Sequence, residues 1–263
     1  MGLTIDLEGR TALVTGVTSG IGLGVASMLA KAGCNVAGCG KSTTDSDGAL
    51  IFKQKVEESG RRPFYLQVDV TKPEELEKFV KSAAEAFKGI DIVVSNAGHN
   101  IFEGVAESTE QHWQQNIDLN LTSHWRISKY SRPFLEKSKH GVIIIMTSNH
   151  AFSTIPGCFP YNITKTALTG LVRSIAIEWG PKVRAVGLAP GFIQTPGNDI
   201  WFNSFPDPEA ERKRTINLHP VKRLGTVEEV GVFCVFLASE YAAFVSGSTF
   251  LMDGGRAALM QDN

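Results

Sequence analysis

Thr15-Gly-Val-Thr-Ser-Gly-Ile-Gly22 is the stretch that decides the fold. It joins the apolar run Arg10–Thr15, which reads as a strand, to Ile21–Lys31, which reads as a helix. Gly16 lets the chain turn sharply, Gly20 lets the backbone approach a pyrophosphate, and Gly22 lets the helix pack close to the sheet. The helix N-terminus then offers free N–H groups and partial positive charge to phosphates. A tight structural turn could use the same glycines. The strand before and the helix after are the context a dinucleotide site requires.

Outward from this turn, apolar runs alternate with longer amphipathic stretches. Strands are expected at Asn35–Gly40, Phe64–Val70, Ile90–Ser95, Gly141–Thr147, Val183–Leu188 and Thr249–Met252. Helices are expected at Ala49–Ser59, Pro73–Phe87, Phe159–Gly180 and Val227–Ala238, with one or two more in Gln111–Leu135. Thr71 reads as the N-cap of the helix at Pro73. Strands separated by such helices imply an α/β fold, a parallel sheet with helices on both faces. Right-handed crossovers make a single doubly wound sheet of about seven strands the expected closure. No linker or repeat interrupts the pattern, so residues 1–263 read as one domain. The irregular stretch Phe192–Leu224 carries four prolines and a charged run, Glu209–Arg214. It follows a strand end, where ligands bind in such sheets, so residues 192–224 are expected to form a substrate loop. A solvated insertion is the plainer alternative.

The 26 Lys+Arg against 27 Asp+Glu exclude a globally basic nucleic-acid binder, and 43% hydrophobic residues exclude a largely disordered chain. The longest apolar candidate, Val142–Met146, falls far short of the ~18–20 residues of a bilayer span. Met1–Gly9 lacks the pattern of a secretory signal. Cys34, Cys39, Cys158 and Cys234 have no zinc spacing and read as free thiols of a cytoplasmic protein without a metal.

Further motifs follow in order. Asn96-Ala-Gly98 comes after the fourth strand, Asn120 lies in Asp118-Leu-Asn-Leu121, and Ser148 ends the fifth strand. Tyr161-Asn-Ile-Thr-Lys165 begins thirteen residues after that serine, Pro190-Gly-Phe-Ile-Gln-Thr195 follows strand six, and Met252-Asp-Gly-Gly255 closes the sheet. With its Gly-xxx-Gly-x-Gly spacing, the chain from Leu7 to Gly255 resembles the short-chain dehydrogenase/reductase family, whose fold is Rossmann-like. One departure is Ser95, where the family usually has asparagine; it supports a turn, and little effect on the chemistry is expected.

The resemblance implies hydride transfer between a nicotinamide and a secondary alcohol or carbonyl. Tyr161 and Lys165, four apart on a predicted helix, share one face. Lowering the phenol from about 10 to near 7 requires roughly 4 kcal/mol, which a nearby ammonium and oxidised nicotinamide would supply in large part. Tyr161 would then be general base for oxidation and general acid for reduction. By resemblance, Ser148 would orient the substrate oxygen, Lys165 would hold the nicotinamide ribose, and Asn120 would keep a water in a proton relay. The cofactor contacts implied are Gly16, Thr18, Ser19, Gly20, Ile21 and Gly22 at the phosphates, and Asp69 and Val70 at the adenine. Asn96, Ala97 and Gly98 would line the ribose and nicotinamide side. Pro190 and Gly191 would shape the last turn, with Ile193 and Thr195 on the carboxamide. Lys41, with Ser42 and Thr43, stands after strand two where NAD enzymes often carry an acid, which favours NADP over NAD.

His99, Asn149, His150, Phe159 and Trp201 are candidate substrate contacts. Polar donors and an aromatic face suit a sugar, polyol or sugar acid. The stretch from Trp201 to Ala210 resembles sugar 1-dehydrogenases of the family. Arg212, Lys213 and Arg214 would meet an anionic group or form the outer face of a helix. His150 is an acid–base candidate or a wall residue. Alternatives are a 3-oxoacyl-thioester reductase and, from another class, a catalytically silent dinucleotide-binding redox sensor. The resemblance also implies a homotetramer acting on a small molecule, without nucleic acid or membrane.

Overall fold

Seven apolar segments form one parallel sheet in the computed structural model, which describes residues 2, 4–100 and 102–259. The first half comprises β1 (Thr11–Thr15), α1 (Gly20–Lys31), β2 (Asn35–Gly40), α2 (Asp47–Glu57), β3 (Pro63–Gln67), α3 (Pro73–Phe87) and β4 (Ile92–Ser95). Then come β5 (Phe102–Glu103), α4 (Glu110–Ile117), α5 (Ser123–Leu135), β6 (Val142–Met146), β7 (Phe159–Pro160) and α6 (Tyr161–Trp179). The last part holds β8 (Arg184–Pro190), α7 (Pro196–Phe202), α8 (Pro208–Asn217), α9 (Val227–Ala238) and β9 (Thr249–Met252).

The sheet order is β3-β2-β1-β4-β6-β8-β9. Alternate side chains feed two cores. Ala12, Val14, Ile144 and Met146 face α1, α2 and α9, whereas Leu13, Ile143 and Ile145 face α3, α5 and α6. Burial on both faces is why these strands read as continuous apolar runs. The chain reverses direction across the sheet between β1 and β4, which opens a crevice at the carboxyl ends of the strands.

Several expectations are corrected. The N-cap of α3 is Lys72, not Thr71, whose hydroxyl instead donates to Asp69 Oδ1 at 2.7 Å. Gln111–Leu135, where one or two helices are expected, holds two, joined by a π-turn at Asp118–Thr122. Phe159 lies not in the long helix but in β7, antiparallel to β5. Phe192–Leu224, read as an irregular loop with room for short helices, carries two, α7 and α8, each with proline in its first turn and a cap, from Thr195 and Asp207 respectively. Its prolines start helices as well as breaking them. Among the described residues no helix is long and apolar enough to cross a membrane, and no group of side chains has metal-binding geometry. All four cysteines are free and buried. Positions 1, 3, 101 and 260–263, which the reading of one domain over 1–263 includes, lie outside the described residues.

Candidate active site

The glycine turn leaves β1 with Gly16 at φ +76° and enters α1 with Gly20 at φ +54°. A Cβ at Gly22 would lie 2.0 Å from the Gly16 carbonyl and 2.6 Å from Asn96 Nδ2, so only glycine fits. Ser19 caps α1 without a side-chain hydrogen bond, leaving the first-turn N–H groups available to a ligand. Ile21 packs against the core, and Thr18 lies against Gly40 and Gly48. The residue linking this turn to the next motif is Thr15. Its hydroxyl accepts from the backbone N–H of both Asn96 and Ala97, each at 2.9 Å, and its carbonyl accepts from Asn96 Nδ2 at 2.9 Å. A threonine ending a strand gives no local sign of that role.

Asn120 sits in the π-turn, fully buried. Its Oδ1 accepts from His99 N at 3.0 Å, and its Nδ2 donates to the His99 carbonyl and to Asn116 Oδ1, both at 2.8 Å. The side chain thus braces the 96–99 turn. A Cβ at Gly98 would stand 2.8 Å from Asn120 Oδ1 and 3.5 Å from Lys165 Nζ, so Gly98, Asn120 and Lys165 converge. Ser95, expected only to support a turn, hydrogen-bonds the buried His124 Nδ1 at 2.7 Å. Burial, and then the Lys165 charge, hold that imidazole well below its ordinary value.

Ser148, two residues past β6, and Tyr161, at the start of α6, are both buried, with the Ser148 hydroxyl beside the Tyr161 phenol. Lys165 is one turn further on, its Nζ 5.5 Å from the Tyr161 ring centroid and donating to the Met146 carbonyl at 3.0 Å. The expected lowering of the phenol is not seen in the chain alone. Burial pushes Tyr161 up to about 12, although the Ser148 hydroxyl favours its phenolate. Burial likewise brings Lys165 down to about 7, which weakens the cation expected to stabilise the phenolate.

The remaining cofactor candidates divide. Lys41 is ion-paired with Asp69 at 3.1 Å, and both border a surface cavity with Gln67 and Glu75. Asp69 Oδ1 also accepts from Thr71 N at 3.0 Å, so this carboxylate shapes its own turn as well. Val70 is buried in the core. At the other end of the crevice, Gly191 meets the Asp253 backbone and Pro190 ends β8. Ile193 buries its side chain, and its carbonyl accepts from Asn198 Nδ2 at 2.6 Å. Thr195 caps α7 with its hydroxyl and turns its methyl toward Gly20.

On the substrate side, the His150 ring lies 6.1 Å from Tyr161 and 6.1 Å from Phe102, with Nδ1 3.1 Å from Thr154 Oγ1. Burial, then the Arg256 charge, lowers its pKa, which suits a neutral wall residue. Phe159 stacks on Trp113 at 5.5 Å, and Trp201 packs with Phe192, Phe202 and Phe205. Asn149 accepts from Ser148 at 3.3 Å, and His99 is exposed at the mouth. Phe102 and Trp113, which pack against Tyr161 and Phe159, are residues that sequence reading missed, since β5 and α4 reach the site only through tertiary folding. The charged run Glu209–Arg214 lies on α8, the helix-face alternative, with two of its three cations paired. Arg212 pairs with Asp199 at 2.5 Å and stacks on Phe202, and Arg214 forks onto Glu211 at 2.8 and 2.6 Å.

The comparisons agree with this geometry. Residues 16–257 match the family model described as enoyl-(acyl carrier protein) reductase. The chain is 35% identical over 252 residues to human dehydrogenase/reductase SDR family member 4, covering 95% of this chain and 88% of that one. It is 33% identical over 252 residues to 3beta-hydroxysteroid dehydrogenase 1 of Eggerthella lenta, covering 95% and 94%. A solved structure described as a short-chain alcohol dehydrogenase, from Sinorhizobium meliloti 1021, superposes with a TM-score of 0.90 at 30% identity, covering 98% of this chain and all of that one (100%). With its sheet order, glycine turn and Ser148–Tyr161–Lys165 cluster, this chain belongs to the short-chain dehydrogenase/reductase family and is an oxidoreductase.

Proposed function

We propose that the protein is an NAD(P)-dependent oxidoreductase that interconverts a secondary alcohol and a carbonyl on a sugar, polyol or sugar acid. The observation that carries this reading is the buried Tyr161 with the Ser148 hydroxyl beside its phenol and Lys165 Nζ 5.5 Å from its ring. The glycine cradle fits a dinucleotide, because side chains at Gly22 and Gly98 would fill the space the ligand turn requires. A bound nicotinamide would supply or take the hydride. The chain's own residues do the rest. Ser148 orients the substrate oxygen, and Tyr161 gives or takes its proton. Lys165, with a value near 7, can pass that proton on while holding the nicotinamide ribose. Asn120 fixes the 96–99 turn beside it.

For the substrate, the aromatic faces of Phe159 and Trp201 and the polar edges of His99, Asn149 and His150 suit a hydroxylated ring. For the cofactor, Lys41 at the end of β2 favours NADP over NAD, its exposed ammonium being free to exchange Asp69 for a 2′-phosphate. Free, buried thiols suit the cytoplasm. Exposed Trp125 on α5 and Ile177 on α6 suit a tetramer built on those helices. One observation favours the 3-oxoacyl-thioester alternative: Phe102, Val105, Ile155 and Ile200 expose apolar surface in the segments around the mouth.

A panel of sugars, polyols, uronates and 3-oxoacyl thioesters, assayed with both cofactors by nicotinamide absorbance, tests the reading. Tyr161→Phe should lower turnover by roughly 10²–10⁴-fold and leave cofactor binding unchanged. Persistent turnover would overturn the mechanism, and a silent sensor would show cofactor binding with no turnover in any arm.

A further inference from the structure

Past the carboxyl end of β9, the chain makes two left-handed steps, Gly254 at φ +62° and Gly255 at φ +82°, and enters a single 3₁₀ turn at Arg256–Ala258. This turn packs against the far end of the 192–224 segment, with Gly254 facing Val221 and His219, and Gly255 facing Pro220. Arg256 therefore stands between the strand ends and that segment. Its Nη1 is buried and has no hydrogen-bond partner among the described residues. The neighbouring Asp253 does not answer it, because its carboxylate accepts from Gly255 N at 3.0 Å and Ala257 N at 2.7 Å. His219, also buried, gives Nδ1 to the Thr215 carbonyl at 2.8 Å and leaves Nε2 without a partner. The wall around Gly254 thus holds two buried nitrogens that nothing in the described chain satisfies, one of them cationic.

Buried polar groups are nearly always paired, and a buried unpaired nitrogen on a cation, such as Nη1 of the half-buried Arg256, is costlier still. We propose that Arg256 recognises a carboxylate on the substrate of the Ser148–Tyr161 site, so that among sugars, polyols and sugar acids the acids are preferred. This rests on the reaction assigned to that site. A guanidinium fork matches a carboxylate in two parallel hydrogen bonds. Burial and the nearby Arg214 charge both push Arg256 away from its charged form, and an arriving anion would relieve both. The turn that carries Arg256 follows Asp253, which packs against Gly191 at the carboxyl end of β8, so Arg256 lies at the strand ends that rim the crevice. Unlike Arg212 and Arg214, Arg256 forms no ion pair among the described residues.

The test compares D-glucuronate and D-gluconate with D-glucose and D-sorbitol, by calorimetry on the cofactor-saturated protein and by turnover. Wild type should bind at least one acid about tenfold more tightly than its neutral counterpart. Arg256→Gln should erase that difference, raising KM for the acid about tenfold while leaving kcat and the kinetics of neutral substrates within about twofold. No acid preference in wild type, or equal losses on acid and neutral substrates, would overturn the inference. If neutral substrates turn over in a Tyr161-dependent way and Arg256→Gln changes nothing, the reaction stands and the carboxylate site falls. If an acid binds through Arg256 but turnover survives Tyr161→Phe, the carboxylate site stands and the reaction assignment falls.

Discussion

The two ends of the crevice are built differently. At the β1–β4 end, the 96–99 turn is held by bonds within the chain: Thr15 serves Asn96 and Ala97, and Asn120 serves His99 and Asn116, although Asn116 Nδ2 and His124 Nε2 are buried without a partner among the described residues. At the β8–β9 end, the wall is an aromatic cluster around Trp201 together with the unpartnered nitrogens of His219 and Arg256. The first end is preorganised for a ligand whose shape never changes. The second leaves polar groups for the substrate to satisfy, which is how a shared fold acquires a particular specificity.

If this contrast holds, a substitution at the first end should damage binding and stability together. Gly22→Ala drives a Cβ into the Gly16 carbonyl. We expect a cost of about 1–3 kcal/mol, seen as a lower Tm and a cofactor Kd raised up to roughly a hundredfold. Unchanged cofactor titrations would show the turn to be pliable. Lys41→Asp sharpens the picture at the rim, where the pair with Asp69 is exposed and contributes little stability. KM for NADP should rise roughly tenfold with NAD spared and Tm nearly constant. Equal use of both cofactors before and after would break the NADP assignment.

At the second end the effects should separate. Trp201→Ala should raise substrate KM by roughly tenfold, with a smaller fall in Tm than Gly22→Ala and no change in cofactor Kd. A matching loss of cofactor affinity would erase the distinction between the two ends. The smallest effect concerns Lys165, whose value is lowered from 10.5 to about 7. Between those values the unfolded chain holds a proton that the folded chain does not, so stability rises with pH and the penalty is complete below about pH 7. The thiols oppose this at higher pH: burial raises Cys39 from 9.0 to about 12, so the folded state retains protons that the unfolded state loses. From pH 7 to 8, before the thiols titrate, the cofactor-free protein should therefore gain on the order of 1 kcal/mol, a rise that Lys165→Met flattens in denaturant titrations.

Much of this was legible before folding. The helices Pro73–Phe87 and Val227–Ala238 and the strands Asn35–Gly40 and Thr249–Met252 fall where periodicity and punctuation put them. Their signals are local: a proline in the first turn, a capping box at Thr226 and Glu229, and apolar runs. The errors lie where local signals conflict with distant ones. Phe159 reads as helix yet pairs with Glu103, because a two-residue ribbon has no periodicity to detect. The 192–224 segment reads as irregular because its prolines mark both breaks and helix starts. The motifs made the Ser148–Tyr161–Lys165 cluster visible, but no spacing rule reaches from Thr15 to Ala97 or from Ser95 to His124.

The sequence by itself determined the doubly wound sheet, the glycine turn and the chemistry-bearing side chains, since these follow from period, punctuation and residue type. Tertiary structure alone decided their electrostatics. In the chain without cofactor, burial raises Tyr161 and lowers Lys165, because desolvation depends on what surrounds a group and not on its neighbours in the chain. It also decided which cations are spent and which are left. Arg212 and Arg214 find carboxylates within the segment, while Arg256, carried in by two glycines past the last strand, finds none among the described residues.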